Sequence, residues 1–107
     1  MKNHTIKMAM LAMLALSACT PWVKSTDAGL KVRVAYLSQV HACKDVGKVT
    51  VSVLNKVLFI QRSRETVAEE LETLGQNAAG EMGGDTIVAL SRVVNGEQTF
   101  RVYRCKQ

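Results

Sequence analysis

Hydrophobic positions along this chain change their spacing several times, and each change marks an element. Residues 8–16 (MAMLAMLAL) are nine uninterrupted apolar positions, behind a flank, residues 1–7, that holds two lysines and no acid. From Lys31 to Leu37, Val32, Val34 and Tyr36 alternate with Lys31, Arg33 and Ala35, which is the period of a strand. Residues 46–54 alternate again, with Val49, Val51 and Val53 on one face and Thr50 and Ser52 on the other. A short apolar cluster at 57–60 fits a short strand or a packed loop equally well. The period then becomes helical. Val67, Leu71, Leu74, Ala78 and Met82 fall within an arc of about 80° at 100° per residue, with Glu65, Glu69, Glu72 and Gln76 roughly opposite. Ser63 is placed to cap this helix and Gly83-Gly84 to end it. Ala68, Gly75 and Ala79 lie beside the arc, small enough to let the helix approach a sheet closely. Residues 86–94 form a β-branched run, Asn95-Gly96 is a strong hairpin signal, and residues 98–105 alternate once more. The order β-β-α-β-β predicts an α+β fold, a small, mostly antiparallel sheet with one amphipathic helix packed on it.

The first segment has a different purpose. A basic flank, a short apolar stretch and small residues at its exit make a secretory signal. At 1.5 Å per residue this stretch is too short to cross a hydrocarbon core of about 30 Å. Its exit, Leu16-Ser17-Ala18-Cys19, resembles the bacterial lipobox. The resemblance implies that residues 1–18 are removed, that the Cys19 thiol takes a diacylglyceryl group, and that Cys19 becomes the new N-terminus. Thr20 follows, not the Asp of inner-membrane retention, so the resemblance implies an outer-membrane lipoprotein with its domain facing the periplasm. Residues 19–30 read as the acylated Cys and a short tether, and residues 31–107 as a single α+β domain. About 11 extended tether residues reach roughly 35 Å. Trp22 fits either the lipid interface or an exposed tether position.

Composition narrows the function classes. A chain of 107 residues suffices for one small domain, which excludes a multi-domain enzyme and a polytopic membrane protein. The basic excess, 14 Lys+Arg against 9 Asp+Glu, falls to twelve against nine once the signal leaves with Lys2 and Lys7. Arg62, Arg64, Arg92, Arg101, Arg104 and Lys106 are candidates for a basic patch, with the last three close together in sequence. An envelope location excludes nucleic acid and leaves anionic headgroups, cell-wall polymers or an envelope protein as partners.

Two cysteines remain beside the acylated one, Cys43 and Cys105, and in an oxidising compartment they are expected to pair. The loop-closure estimate for such a bridge is roughly 4 kcal/mol. The alternative is a periplasmic metal or small-ligand binder using His41, Cys43 and Cys105. The expectation adopted here is a disulfide with no metal and no cofactor. No Ser, Thr or Cys stands in a recognisable catalytic motif, and Met82-Gly83-Gly84-Asp85 follows a helix instead of preceding one, so it reads as a helix stop and turn. The expectation is a protein that is not an enzyme, with Asp85 a turn residue.

The full pattern combines the lipobox with Cys43-Lys44-Asp45-Val46-Gly47, a helix running into Asn77-Ala78-Ala79, the segment Met82-Gly83-Gly84-Asp85-Thr86-Ile87-Val88, and a closing Tyr103-Arg104-Cys105. It resembles the uncharacterised enterobacterial lipoproteins typified by YjeI, over nearly the whole chain. More distantly it is similar to the RcsF-like outer-membrane lipoproteins that sense envelope stress. That similarity implies a disulfide-stabilised α+β domain that works by protein–protein contact. This chain has two domain cysteines where RcsF has four, and it lacks the long Pro-rich linker. Fold and location carry over; the signalling role does not.

Overall fold

The computed structural model describes residues 23–58 and 60–106; the lipobox, Cys19 and Trp22 lie outside the described residues. Its elements are helix α1 (Asp27–Leu30), strand β1 (Arg33–Val34), a 3-10 turn (Leu37–Gln39), β2 (Lys44–Ser52), β3 (Lys56–Val57), β4 (Ile60–Gln61), helix α2 (Arg64–Glu81), β5 (Thr86–Ala89) and β6 (Glu97–Arg104). Four strands form one sheet in the order β1-β5-β6-β2, and β3 and β4 form a separate two-stranded ribbon. The β5–β6 and β6–β2 pairs are antiparallel, whereas β1 runs parallel to β5. The fold is therefore α+β, with a mixed sheet and one main helix across one face.

The helix obeys its end signals. The Ser63 hydroxyl accepts the Thr66 N–H, Glu65 sits in the positive first turn, and Gly83 follows the end at φ 81°. Its buried face is turned from the expected one. Val67, Leu71, Gly75 and Ala79 are buried, Leu74 and Ala78 are half-buried, and Met82 is exposed. This i, i+4 row is rotated by about 40° from the arc that the large apolar residues define. The small residues decide the rotation. A Cβ at Gly75 would lie 2.8 Å from the Phe100 ring, so the helix backbone rests directly on β6. Ala79 then joins Val32, Ile87, Phe100 and Val102 in the core, with Val46, Val49 and Val51 packed against it. A β-bulge between Asp45 and Gly47 adds the extra residue that puts Val46 on the same side as Val49.

The hairpin forms where expected. Asn95 (φ 51°) and Gly96 (φ 73°) take positive φ, and Val94 and Glu97 exchange both backbone hydrogen bonds at 3.0 Å. Two left-handed residues make the turn type whose twist matches the strands. The preceding strand is shorter than the predicted 86–94. After Leu90 the Thr99 N–H donates to the Ser91 hydroxyl at 2.9 Å, so a side chain replaces the ladder there.

Three other segments differ from the sequence reading. Only Arg33 and Val34 of the 31–37 alternation are strand, and Val32 and Ala35 are buried while Tyr36 is exposed. Val32 joins the helix-side core, whereas Ala35 joins Val40, Val88 and Tyr103 on the opposite face, where residues 35–43 fold back over the sheet. Val32 and Ala35, three residues apart, are buried on opposite faces, and the alternation does not survive between them. At the cluster 57–60, ambiguous in sequence, Lys56–Val57 pairs with Ile60–Gln61 in the small β3–β4 ribbon, with Leu58 at φ 58°. The segment expected to be tether is folded from Thr26 onward. Asn77 accepts the Thr26 N–H at 2.9 Å and donates to the Lys24 carbonyl, also at 2.9 Å. Helix α1 lies so close to α2 that a Cβ on Gly80 would come within 2.7 Å of the Ala28 carbonyl carbon. The N–H and C=O groups of Asn77 supply this dock, a polar signal that a hydrophobic pattern cannot register.

Candidate functional site

At one end of the sheet, Cys43 leads into β2 and Cys105 follows β6. Their sulfurs stand 2.09 Å apart, at disulfide distance, with Cα atoms 4.4 Å apart and 62 residues between them in sequence. The pair packs on Ala35, Val40, Val88 and Tyr103. With each sulfur bonded to the other, the set His41, Cys43 and Cys105 has no thiolate to offer a metal in this oxidised form. Among the described residues, no group of three or more His, Cys, Asp or Glu side chains converges on one point.

Asp85 holds the end of the chain beside this bridge. Its Oδ1 accepts the Cys105 N–H at 2.8 Å and the Thr86 hydroxyl at 2.9 Å, and its Oδ2 accepts the Lys106 N–H at 2.8 Å. Burial pushes the carboxyl upward, but the two N–H donors, the hydroxyl and the Lys106 charge together outweigh it and hold the pKa below the ordinary 3.8. A depressed carboxylate stabilises the fold above its unfolded-state pKa, and that stabilisation is lost as pH falls through the folded value. Asp85→Asn is accordingly expected to lower stability by about 1–3 kcal/mol at neutral pH. In thermal melts the gap from the parent should close as pH drops below 3.8. A gap that stays constant with pH would show that the carboxylate charge plays no part. The sequence reading made Asp85 a turn residue; its clamp on Cys105 and Lys106, 20 and 21 residues away, is long-range.

Around the disulfide the surface is basic. A groove of about 480 Å³ is lined by His41, Lys44, Arg104 and Lys106 together with the bridge. Lys44 lies directly opposite Arg104 in the ladder, a juxtaposition of like charge that weakens a sheet. Arg104 donates its Nε–H to the Gly83 carbonyl at 2.9 Å, near the electron-rich end of α2. A neighbouring groove adds Lys31 and Arg33. Of the basic residues singled out from sequence, Arg104 and Lys106 are here. Arg101 pairs with Asp45 at 2.8 Å. Lys44 and His41 were missed as members, because only strand pairing brings them beside the C-terminus.

Arg92 is exposed on the segment after β5, and the opposite end of the molecule holds Arg62 and Arg64. Arg62 donates to the Leu54 carbonyl at 2.9 Å and to the buried carboxylate of Glu70, fastening the β3–β4 ribbon to α2. A groove of about 490 Å³ there is lined by residues including Asn55, Arg64, Val67, Val93 and Val94. The sequence reading placed neighbouring Glu69 and Glu72 on the solvated face and gave Glu70 no role. The structure buries Glu70 because Arg62 meets it.

No helix among the described residues is long and apolar enough to cross a membrane. No curated protein and no solved structure matches the chain. Residues 23–105, from the docked N-terminal segment to the disulfide, match the family described as Domain of unknown function (DUF4156), and the chain belongs to that family.

Proposed function

We propose that this protein is an outer-membrane lipoprotein, anchored through Cys19, whose periplasmic domain is a non-catalytic binding module in envelope maintenance or stress sensing. The lipobox-like Leu16–Cys19 and the disulfide-distance pair both support an envelope location. The observation that carries the binding reading is the basic groove at the disulfide end. Lys44 and Arg104 are held side by side across the ladder, and Lys106 and His41 line the same groove. The sheet tolerates this repulsion, and an acidic surface on another envelope protein would relieve it. The binding face is rigid where it matters, since the disulfide and Asp85 fix both strand ends.

The test is crosslinking in intact envelopes, comparing the parent with a Lys44→Glu/Lys106→Glu double variant. A reproducible protein partner is expected for the parent, with a yield lower by roughly tenfold in the variant. Failure to capture any reproducible partner, or capture unaffected by both reversals, would sink the reading.

A further inference from the structure

The end of the domain opposite the disulfide is apolar and exposed. Leu58 and Ile60 on the β3–β4 ribbon and Leu54 just before it are 86%, 73% and 64% exposed, and Val93 and Val94 of the adjoining hairpin are also exposed. Single exposed apolar residues are ordinary, but a cluster drawn from two adjoining segments is not. The two segments meet through the hydrogen bond from the Val53 N–H to the Gly96 carbonyl, at 2.8 Å. At the ribbon tip Leu58 occupies φ 58°, a left-handed conformation that glycine or asparagine would adopt with less strain. The turn itself does not call for a leucine there.

The path of the N-terminal segment places the anchor at the same end. Val23, Lys24 and Ser25 line a groove with Thr66, Glu69 and Thr73 of α2, and Thr26 meets Asn77, further toward the C-terminal end of the helix. Traced toward the N-terminus, the chain therefore runs along α2 toward the end where β4 enters the helix. Four residue steps separate Val23 from Cys19, a reach of at most about 14 Å. The disulfide end lies beyond the other terminus of an 18-residue helix, which is about 27 Å long.

We propose that the β3–β4 ribbon docks on the bilayer leaflet that holds the acylated Cys19, with Leu58 and Ile60 seated in the lipid interface. This rests on the lipid-anchor reading above. The rim carries both signs of charge, in Lys56, Arg64, Glu65 and Glu97, so attraction to headgroups does not select this end. The apolar tip and the short reach from the anchor do. Docked this way, the ribbon stands at the lipid surface and the basic groove faces the periplasm.

The full processed chain, extracted from membranes and reconstituted into phosphatidylcholine vesicles containing brominated acyl chains, provides the test. In a Trp22→Phe background, Leu58→Trp reports at the ribbon and His41→Trp at the disulfide end. Bromolipid quenching is expected to be several-fold stronger at position 58 than at position 41, and to persist in high salt. Flotation with vesicles but equal or no quenching at 58 overturns the docking while leaving the anchor intact. A blue-shifted but unquenched tryptophan at 58, together with crosslinked dimers, overturns it in favour of a second copy of the chain. Absence of both acyl mass and flotation overturns the anchor reading and the docking with it. A parent-like thermal melt for each variant excludes misfolding as the cause.

Discussion

Replacing Cys43 and Cys105 together by serine is expected to destabilise the domain by about 4 kcal/mol, the loop-closure value for a bridge enclosing 62 residues. For a domain of this size that corresponds to a drop in Tm of roughly 15–30 °C. Small domains have total stabilities of about 5–15 kcal/mol, so the loss is a large share of the whole. The bridge matters because it ties the last residues of the chain to the start of β2, beyond the end of the β2–β6 ladder. Without it, the C-terminal segment depends on the Asp85 contacts with the Cys105 and Lys106 N–H groups. Reduction of the parent should reproduce the serine variant in thermal melts. A change in Tm below about 5 °C in both would contradict the staple's importance.

Arg62→Ala is expected to cost about 3–5 kcal/mol, because it strands the Glu70 carboxylate in a site where the side chain is 4% exposed. Arg62 also holds the Leu54 carbonyl, so the variant should release the β3–β4 ribbon from α2. Denaturant melts measure the first effect. Hydrogen exchange at the Arg62 N–H, which donates to the Asn55 carbonyl at 2.8 Å, measures the second. The double variant Arg62→Met/Glu70→Leu should recover most of the stability, since it removes both charges and leaves neither buried alone. A single variant within about 0.5 kcal/mol of the parent would show that the pair is solvated and that the ribbon is held by other contacts.

Several features could be read from the residues because they are local. Ser63 and Gly83 mark the ends of α2, and Asn95-Gly96 makes its turn without help from elsewhere in the chain. The cysteine pairing was expected from a count that leaves two thiols once Cys19 is set aside, and Cys43 and Cys105 stand at disulfide distance. Other features were hidden because two separate segments decide them. The buried row of α2 follows its smallest residues, since Gly75 admits the Phe100 ring. Glu70 is buried by an arginine eight residues earlier, and Lys44 becomes part of a basic groove only when the register sets it against Arg104. The short β1 was hidden because its two residues are exposed while Val32 before it and Ala35 after it are buried on opposite faces, which breaks the alternation that a half-buried strand would show. The docking of residues 26–30 depends on Asn77, whose amide serves both as donor and as acceptor.

The most direct test of the central claim is the intact mass of the protein extracted from envelopes, measured before and after reduction. The account predicts a chain that begins at Cys19, carries the added mass of its acyl groups, and gains two hydrogen atoms when the Cys43–Cys105 bridge is reduced. An unacylated chain that retains Met1, recovered from the soluble cytosolic fraction with its thiols free, would contradict it.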